Sequence, residues 1–166
     1  PGGTVLARAR PLLILGDTIT TDHISPVGRI SADSSAGQYL MSLGVTDNAF
    51  NTYGARRGNA EVMRRGTFAS DRINNVLSKG RLGSWSTHFP SGSVLNIFEA
   101  SERYKEEGIP MIVVAGEQYG TGSARDWAAK GTRELGIKVV LARSFERIHR
   151  ANLALVGVMP IELSEH

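Results

Sequence analysis

Cysteine is absent from the 166 residues, which excludes a disulfide, a thiolate metal site and iron–sulfur ligation by this chain. No apolar run approaches the roughly 20 residues that a membrane-spanning helix needs, and no signal-peptide pattern opens the sequence. There is no internal repeat and no low-complexity tract. The glycines fall short of a dinucleotide fingerprint. Gly120-x-Gly122 is followed by Ala124 and Arg125 where a third glycine would stand, and no Lys-Ser/Thr pair marks a phosphate loop. The start, Pro1-Gly2-Gly3, lacks methionine, so residues 1–10 read as a linker or tag remnant and residues 11–166 as one domain.

What is present is ordinary in bulk and uneven in detail. Hydrophobic content of 41% and charged content of 21% are those of a soluble globular protein, and the length suffices for one proper core. Net charge is +3. Between Gly54 and Arg81, however, Arg56, Arg57, Arg64, Arg65, Arg72, Lys79 and Arg81 face only Glu61 and Asp71. That local surplus predicts an anionic partner: small carboxylates, phosphates or nucleic acid.

The chain is organised around Gly116 to Trp127. An apolar run, Met111 to Val114, enters a glycine-rich turn, and Ser123 with Asp126 has the spacing of a capping box that would start a helix running to Leu135. A strand, a glycine turn and a helix N-terminus together gather free backbone N–H groups suited to an anion. Arg125 has the wrong charge for that end of a helix dipole, so it reads as a fork for a carboxylate or phosphate.

Pro11 to Leu15 reads as a buried strand entering Gly16-Asp17-Thr18-Ile19-Thr20-Thr21-Asp22-His23-Ile24-Ser25-Pro26, a loop dense in short polar groups of the kind a rigid sheet presents. Asp33 to Leu43 is a helix, capped by Asp33 or Ser34, with Ala36, Leu40 and Leu43 on one face. Trp85 to Gly92 is a hairpin or edge segment in which His88 reads as a satisfied surface histidine. Asn96 to Glu107 is a helix with an Asn96–Glu99 cap box and a Glu99–Arg103 pair. Ile137 to Ala142 and Val158 to Leu163 are strands around a last helix capped by Ser144. The alternation predicts an α/β domain with a parallel βαβ unit.

Five motifs follow one another in order: Gly16 to Pro26, Tyr53-Gly54-Ala55-Arg56-Arg57-Gly58-Asn59, Arg65-Gly66-Thr67-Phe68-Ala69, Tyr119 to Gly131, and Ser144-Phe145-Glu146-Arg147-Ile148-His149-Arg150-Ala151-Asn152-Leu153. Together they resemble the C-terminal swivel domain of the aconitase family, over nearly the whole span from Pro11 to Leu163. The resemblance implies a swivelling β/β/α-type domain with a mostly parallel central sheet flanked by helices. It implies part of a larger cytoplasmic hydro-lyase of the tricarboxylic acid cycle, interconverting citrate and isocitrate through cis-aconitate.

By the same resemblance Ser123 is the catalytic base, held as an alkoxide near a helix N-terminus, and Asp22 is a second catalytic residue that orients groups or relays a proton. Arg125 and Arg65 bind substrate carboxylates, with His23 and Ala124 beside them. Ala124 departs from the family, which usually has a serine there. The 4Fe-4S cluster would be held by the protein's other, N-terminal domains, so the isolated chain would be inactive and bind no metal. Two alternatives stand beside this reading. One is the same domain in a hydro-lyase acting on 2-methylcitrate. The other is an apo-form regulator that binds messenger RNA, with Arg56 and Arg57 on its phosphates.

Overall fold

The computed structural model describes residues 8–164; the Pro1-Gly2-Gly3 start of the expected linker lies outside the described residues. Four strands, β1 (Arg10–Ile14), β4 (Met111–Ala115), β5 (Ile137–Ala142) and β6 (Met159–Glu162), form one sheet in the order β1-β4-β5-β6. Every pairing in it is parallel. β1 is hydrophobic without alternation because a parallel strand is covered on both faces, and Leu12 and Leu13 are both fully buried. Helices α5 (Asp126–Glu134) and α6 (Arg147–Leu155) make the crossovers β4-α5-β5 and β5-α6-β6.

The long excursion between β1 and β4 carries α1 (Thr21–Ile24), α2 (Ser35–Ser42), α3 (Ala60–Gly66), the hairpin β2 (Trp85–His88) with β3 (Ser93–Asn96), and α4 (Ile97–Glu106). A main core surrounds the sheet, and a smaller one lies between α2 and α3, built on Leu40, Phe50, Tyr53 and Val62. Trp127, in the first turn of α5, packs against the smaller core. Its indole N–H also donates to the Arg57 carbonyl at 3.0 Å.

As an edge strand, β1 would expose unpaired backbone groups. Asn75, buried among them, satisfies these groups with its side chain. Its Oδ1 accepts from the Ile14 N–H at 2.9 Å, and its Nδ2 donates to the carbonyls of Leu12 and Trp85 at 3.1 and 3.0 Å. The Ser86 hydroxyl donates to the same Leu12 carbonyl at 2.7 Å.

Several boundaries differ from the sequence reading. α5 starts at Asp126 with Arg125 as an N-cap that makes no side-chain cap bond, so Ser123 lies upstream of the helix and the Ser123–Asp126 box does not form. Ser123 is committed elsewhere: its carbonyl accepts from the Thr21 hydroxyl at 2.7 Å. α6 is capped by Glu146, whose carboxylate accepts from Ile148 and His149, while the Ser144 hydroxyl accepts from the Gln118 N–H at 2.7 Å. Leu43 is the C-cap of α2, off its helical face, and is exposed. In α4 the Asn96 side chain caps Phe98. Among the described residues no Glu99–Arg103 ion pair forms, and Glu102 instead pairs with Arg64 of α3. His88 is buried rather than on the surface.

Candidate active site

The loops that leave β1 and β4 at their carboxyl ends run side by side. In open parallel sheets this is where ligands are bound. Backbone bonds stitch the two loops together: Leu15 N–H to Val114 O at 2.8 Å, Thr18 N–H to Glu117 O at 2.7 Å, Gly120 N–H to Ile19 O at 2.7 Å and Thr21 N–H to Thr121 O at 2.8 Å. The Asp17 carboxylate accepts from the Glu117 N–H at 2.7 Å. This lacing makes Thr20 and Thr121 a parallel bridge beyond the sheet proper.

Beneath the second loop lie Tyr119 and His149, with ring centroids 5.5 Å apart. Gly120 has φ +88°, and a Cβ there would come within 2.3 Å of the His149 ring. Only glycine fits at both counts. Burial holds the His149 imidazole down at about 4 and pushes the Tyr119 phenol up. Both groups are therefore neutral under the loop at neutral pH.

At the end of this laced pair the Asp22 carboxylate forms an ion pair with the Arg125 guanidinium, which also donates to the Ser25 carbonyl at 3.0 Å. Arg125 is thus aimed by two groups of the first loop. The Asp22 side chain is 67% exposed, so the pair is weak and exchangeable. Ser123 and Ala124 are exposed beside it, and no side chain caps the start of α5. Thr20 caps α1 in a reciprocal box with His23: the Thr20 N–H donates to His23 Nδ1 at 2.9 Å and the His23 N–H donates to Thr20 Oγ1. That contact fixes the neutral tautomer with its proton on Nε2. A cleft of about 530 Å³ opens here, lined among others by Thr20, Asp22, His23, Arg29 and Arg72.

Asp22, His23, Ser123, Ala124 and Arg125 therefore come together. Arg65 does not join them. Its guanidinium is paired with Glu61 of the preceding turn and stacked over Tyr39 and Phe98, in a separate cleft with Trp85 and Asn96. Arg56 is bound inward, donating to the carbonyls of Phe50 and Ala49. Arg57 is exposed, and its backbone is docked on Trp127, two residues from Arg125. Of the other cations in the basic stretch, Arg64 pairs with Glu61 and Glu102, Lys79 donates to Gly92 O, and Arg81 lies over Trp85. Most of these side chains are thus held by partners within the fold, while Arg57 and Arg72 are exposed, and the RNA reading is left without support. Among the described residues no group of three or more His, Asp or Glu side chains is placed to hold a metal ion. No helix among them is long and apolar enough to cross a membrane.

The aconitase C-terminal domain family model matches residues 36–166. The chain is similar to aconitate hydratase A of Pseudomonas aeruginosa, at 57% identity over 155 residues, covering 93% of this chain and 17% of that protein. The same enzyme of Thermus thermophilus is 58% identical over 154 residues, with 93% and 17% coverage. That of Escherichia coli is 55% identical over 157 residues, with 95% and 18% coverage. The chain thus spans about a sixth of the length of these relatives. A solved 3-isopropylmalate dehydratase from Methanocaldococcus jannaschii is similar at a TM-score of 0.43 and 22% identity, over 89% of this chain and 57% of that one.

Proposed function

The chain belongs to the aconitase C-terminal domain family, and from that premise we propose that it supplies the proton-abstracting and carboxylate-binding half of a hydro-lyase site. The substrate pair is citrate and isocitrate, interconverted through cis-aconitate. The observation that carries this reading is the Asp22–Arg125 pair beside the exposed Ser123, on two loops laced at the carboxyl ends of β1 and β4.

A proton on carbon beside a carboxylate is hard to remove, because negative charge builds onto that carboxylate as it leaves. A fixed guanidinium next to the carboxylate lowers this cost, since it needs no reorientation when the charge appears. We assign that role to Arg125, whose fork suits a carboxylate bidentately. Asp22 holds the fork until the substrate carboxylate replaces it. Ser123 Oγ, in the alkoxide form that the resemblance implies, takes the proton and becomes the hydroxyl. Arg65 is the second arginine we assign to the substrate; it would first leave Glu61 and its aromatic stack.

The resemblance also implies a 4Fe-4S cluster. The residues of this chain do not fit one: there is no cysteine and no described group of three potential ligands. In this proposal the cluster, and the departure of the hydroxyl, belong to other parts of a longer cytoplasmic protein.

The test is made on the parent protein, reduced and supplied with ferrous iron. Formation of cis-aconitate from citrate and isocitrate is followed by ultraviolet absorbance, with 2-methylcitrate in parallel. Turnover of citrate that depends on iron is the expected result. Turnover of 2-methylcitrate alone would transfer the assignment to that substrate and direct attention to Ala124. No turnover of either acid would overturn the reading.

A further inference from the structure

At the tip of the β2–β3 hairpin, away from the loops just described, three side chains stand in a row. The Ser91 hydroxyl lies 2.7 Å from His88 Nδ1. On the other side of the ring, His88 Nε2 is bonded to the Glu107 carboxylate, at the C-cap of α4. His88 is 4% exposed, with its ring 4.7 Å from that of the fully buried Tyr104. Ser91 is exposed.

The hydrogen bonds set the protonation pattern. A carboxylate accepts only, so Nε2 carries a proton toward Glu107, and in the neutral form of the ring that is its one proton. Nδ1 is then a bare acceptor 2.7 Å from the serine oxygen, and the serine proton has two acceptors in reach, this nitrogen and the His88 carbonyl at 3.1 Å. A nucleophile within reach of a base, with the base oriented by a third group, is the arrangement that activates a hydroxyl, whatever the order of the residues in the chain.

We propose that Ser91 is an activated nucleophile, with His88 as its base and Glu107 as the orienting carboxylate, and that it is acylated by activated esters and thioesters. Ser91 Oγ attacks the acyl carbon, and its proton passes to His88 Nδ1. The bond from that carbon to the aryloxide or thiolate breaks, and the leaving group takes the proton from Nδ1. The products are O-acyl Ser91 and a phenol or thiol. No oxidant or further reactant is required. The Ser93 N–H donates to Ser91 Oγ at 3.3 Å, and Lys79 Nζ rests on the next residue's carbonyl, Gly92 O, at 3.1 Å. The first of these donors stabilises negative charge on Oγ as its proton leaves. Because Ser91 sits on an open turn, small activated acyl groups are accepted without selectivity for their tails.

This inference is independent of the hydro-lyase reading, and so is its test. The parent protein is treated with p-nitrophenyl acetate, and acetylation of individual serines is timed by peptide mass spectrometry. Ser42, also exposed and, like Ser91, bonded to the carbonyl three residues before it, but with no histidine nitrogen among its described partners, serves as the reference. Acetylation at Ser91 is expected to run at least about tenfold faster than at Ser42. Glu107→Gln should slow it by about tenfold, less than the ~10⁴ seen when a buried triad carboxylate is neutralised, because Glu107 is partly in water. His88→Gln should abolish the advantage. As that ring is buried and its loss endangers the fold, Glu107→Gln, with folding checked by circular dichroism, is the deciding variant. Equal rates at Ser91 and Ser42, or a rate at Ser91 unchanged by Glu107→Gln in a folded protein, would overturn the proposal.

Discussion

Arg125 is held by a carboxylate and a carbonyl of one neighbouring loop, so its charge is poised rather than free. Arg125→Lys replaces a planar fork by a point charge. It should raise KM and lower kcat together in the parent protein, each by about tenfold or more, as read from steady-state kinetics on citrate. Asp22→Asn should leave the fold intact and change kinetics at low substrate most, because the group that holds the fork open is lost. His149 gives a second residue-scale test. Its folded value, about 4, lies below that of an exposed histidine near 6.5. Unfolded chains therefore take up a proton first as pH falls, so stability is full above about 6.5, declines between about 6.5 and about 4, and then levels off. Urea midpoints measured across that window should show the decline, and a folded His149→Phe variant should lack it. That the loops carrying Asp22 and Arg125 face each other was suggested in the sequence by the resemblance, since they lie far apart along the chain. The partners that hold Arg65 and the Arg57 backbone, Tyr39 and Trp127, were not legible there, since they meet them only in three dimensions.

The sheet elements were readable to within a residue or so, since β4 is a continuous apolar run and β1 and β5 are apolar but for Arg10 and Lys138. Helix starts were harder, for a physical reason. Ser123 and Ser144 look like N-caps, yet the carbonyl of one and the hydroxyl of the other serve the neighbouring loops, and the helices begin at the next available turn. Asn75 gave no local signal at all. Its role is to close the open edge of β1, a property of topology rather than of sequence pattern. Asn75→Leu should cost about 2–4 kcal/mol, because it leaves the Ile14 N–H and the Leu12 and Trp85 carbonyls short of partners in a buried place. Urea unfolding of the domain would measure it. A loss below about 0.5 kcal/mol, the range of ordinary surface changes, would contradict the edge-closing role.

Taken whole, the molecule is one parallel sheet with a satellite core, and α5 ties the two together: Trp127 packs on the satellite while Ala128 and Ala129 pack on the sheet. The loop that enters α5 therefore sits where the two cores meet, which gives it a rigid base without burying it. Glu61 stabilises α3 from its exposed face. Hydrogen bonds from Arg64 and then Arg65 hold its carboxyl down at about 2. A depressed carboxyl contributes above its ordinary value, near 4.5, and the contribution fades as pH falls from there through about 2. Acid unfolding of Glu61→Gln should accordingly be less steep over that range than that of the unaltered protein. The direct measurement of the half-site is the effect of Ser123→Ala on kcat and KM for citrate in the iron-loaded parent protein. A base that touches the reacting proton predicts a kcat lower by about 10²–10⁴, with KM changed by less than about threefold because Arg125 still binds the carboxylate. A kcat within about twofold of the unaltered enzyme would show that the proton goes elsewhere.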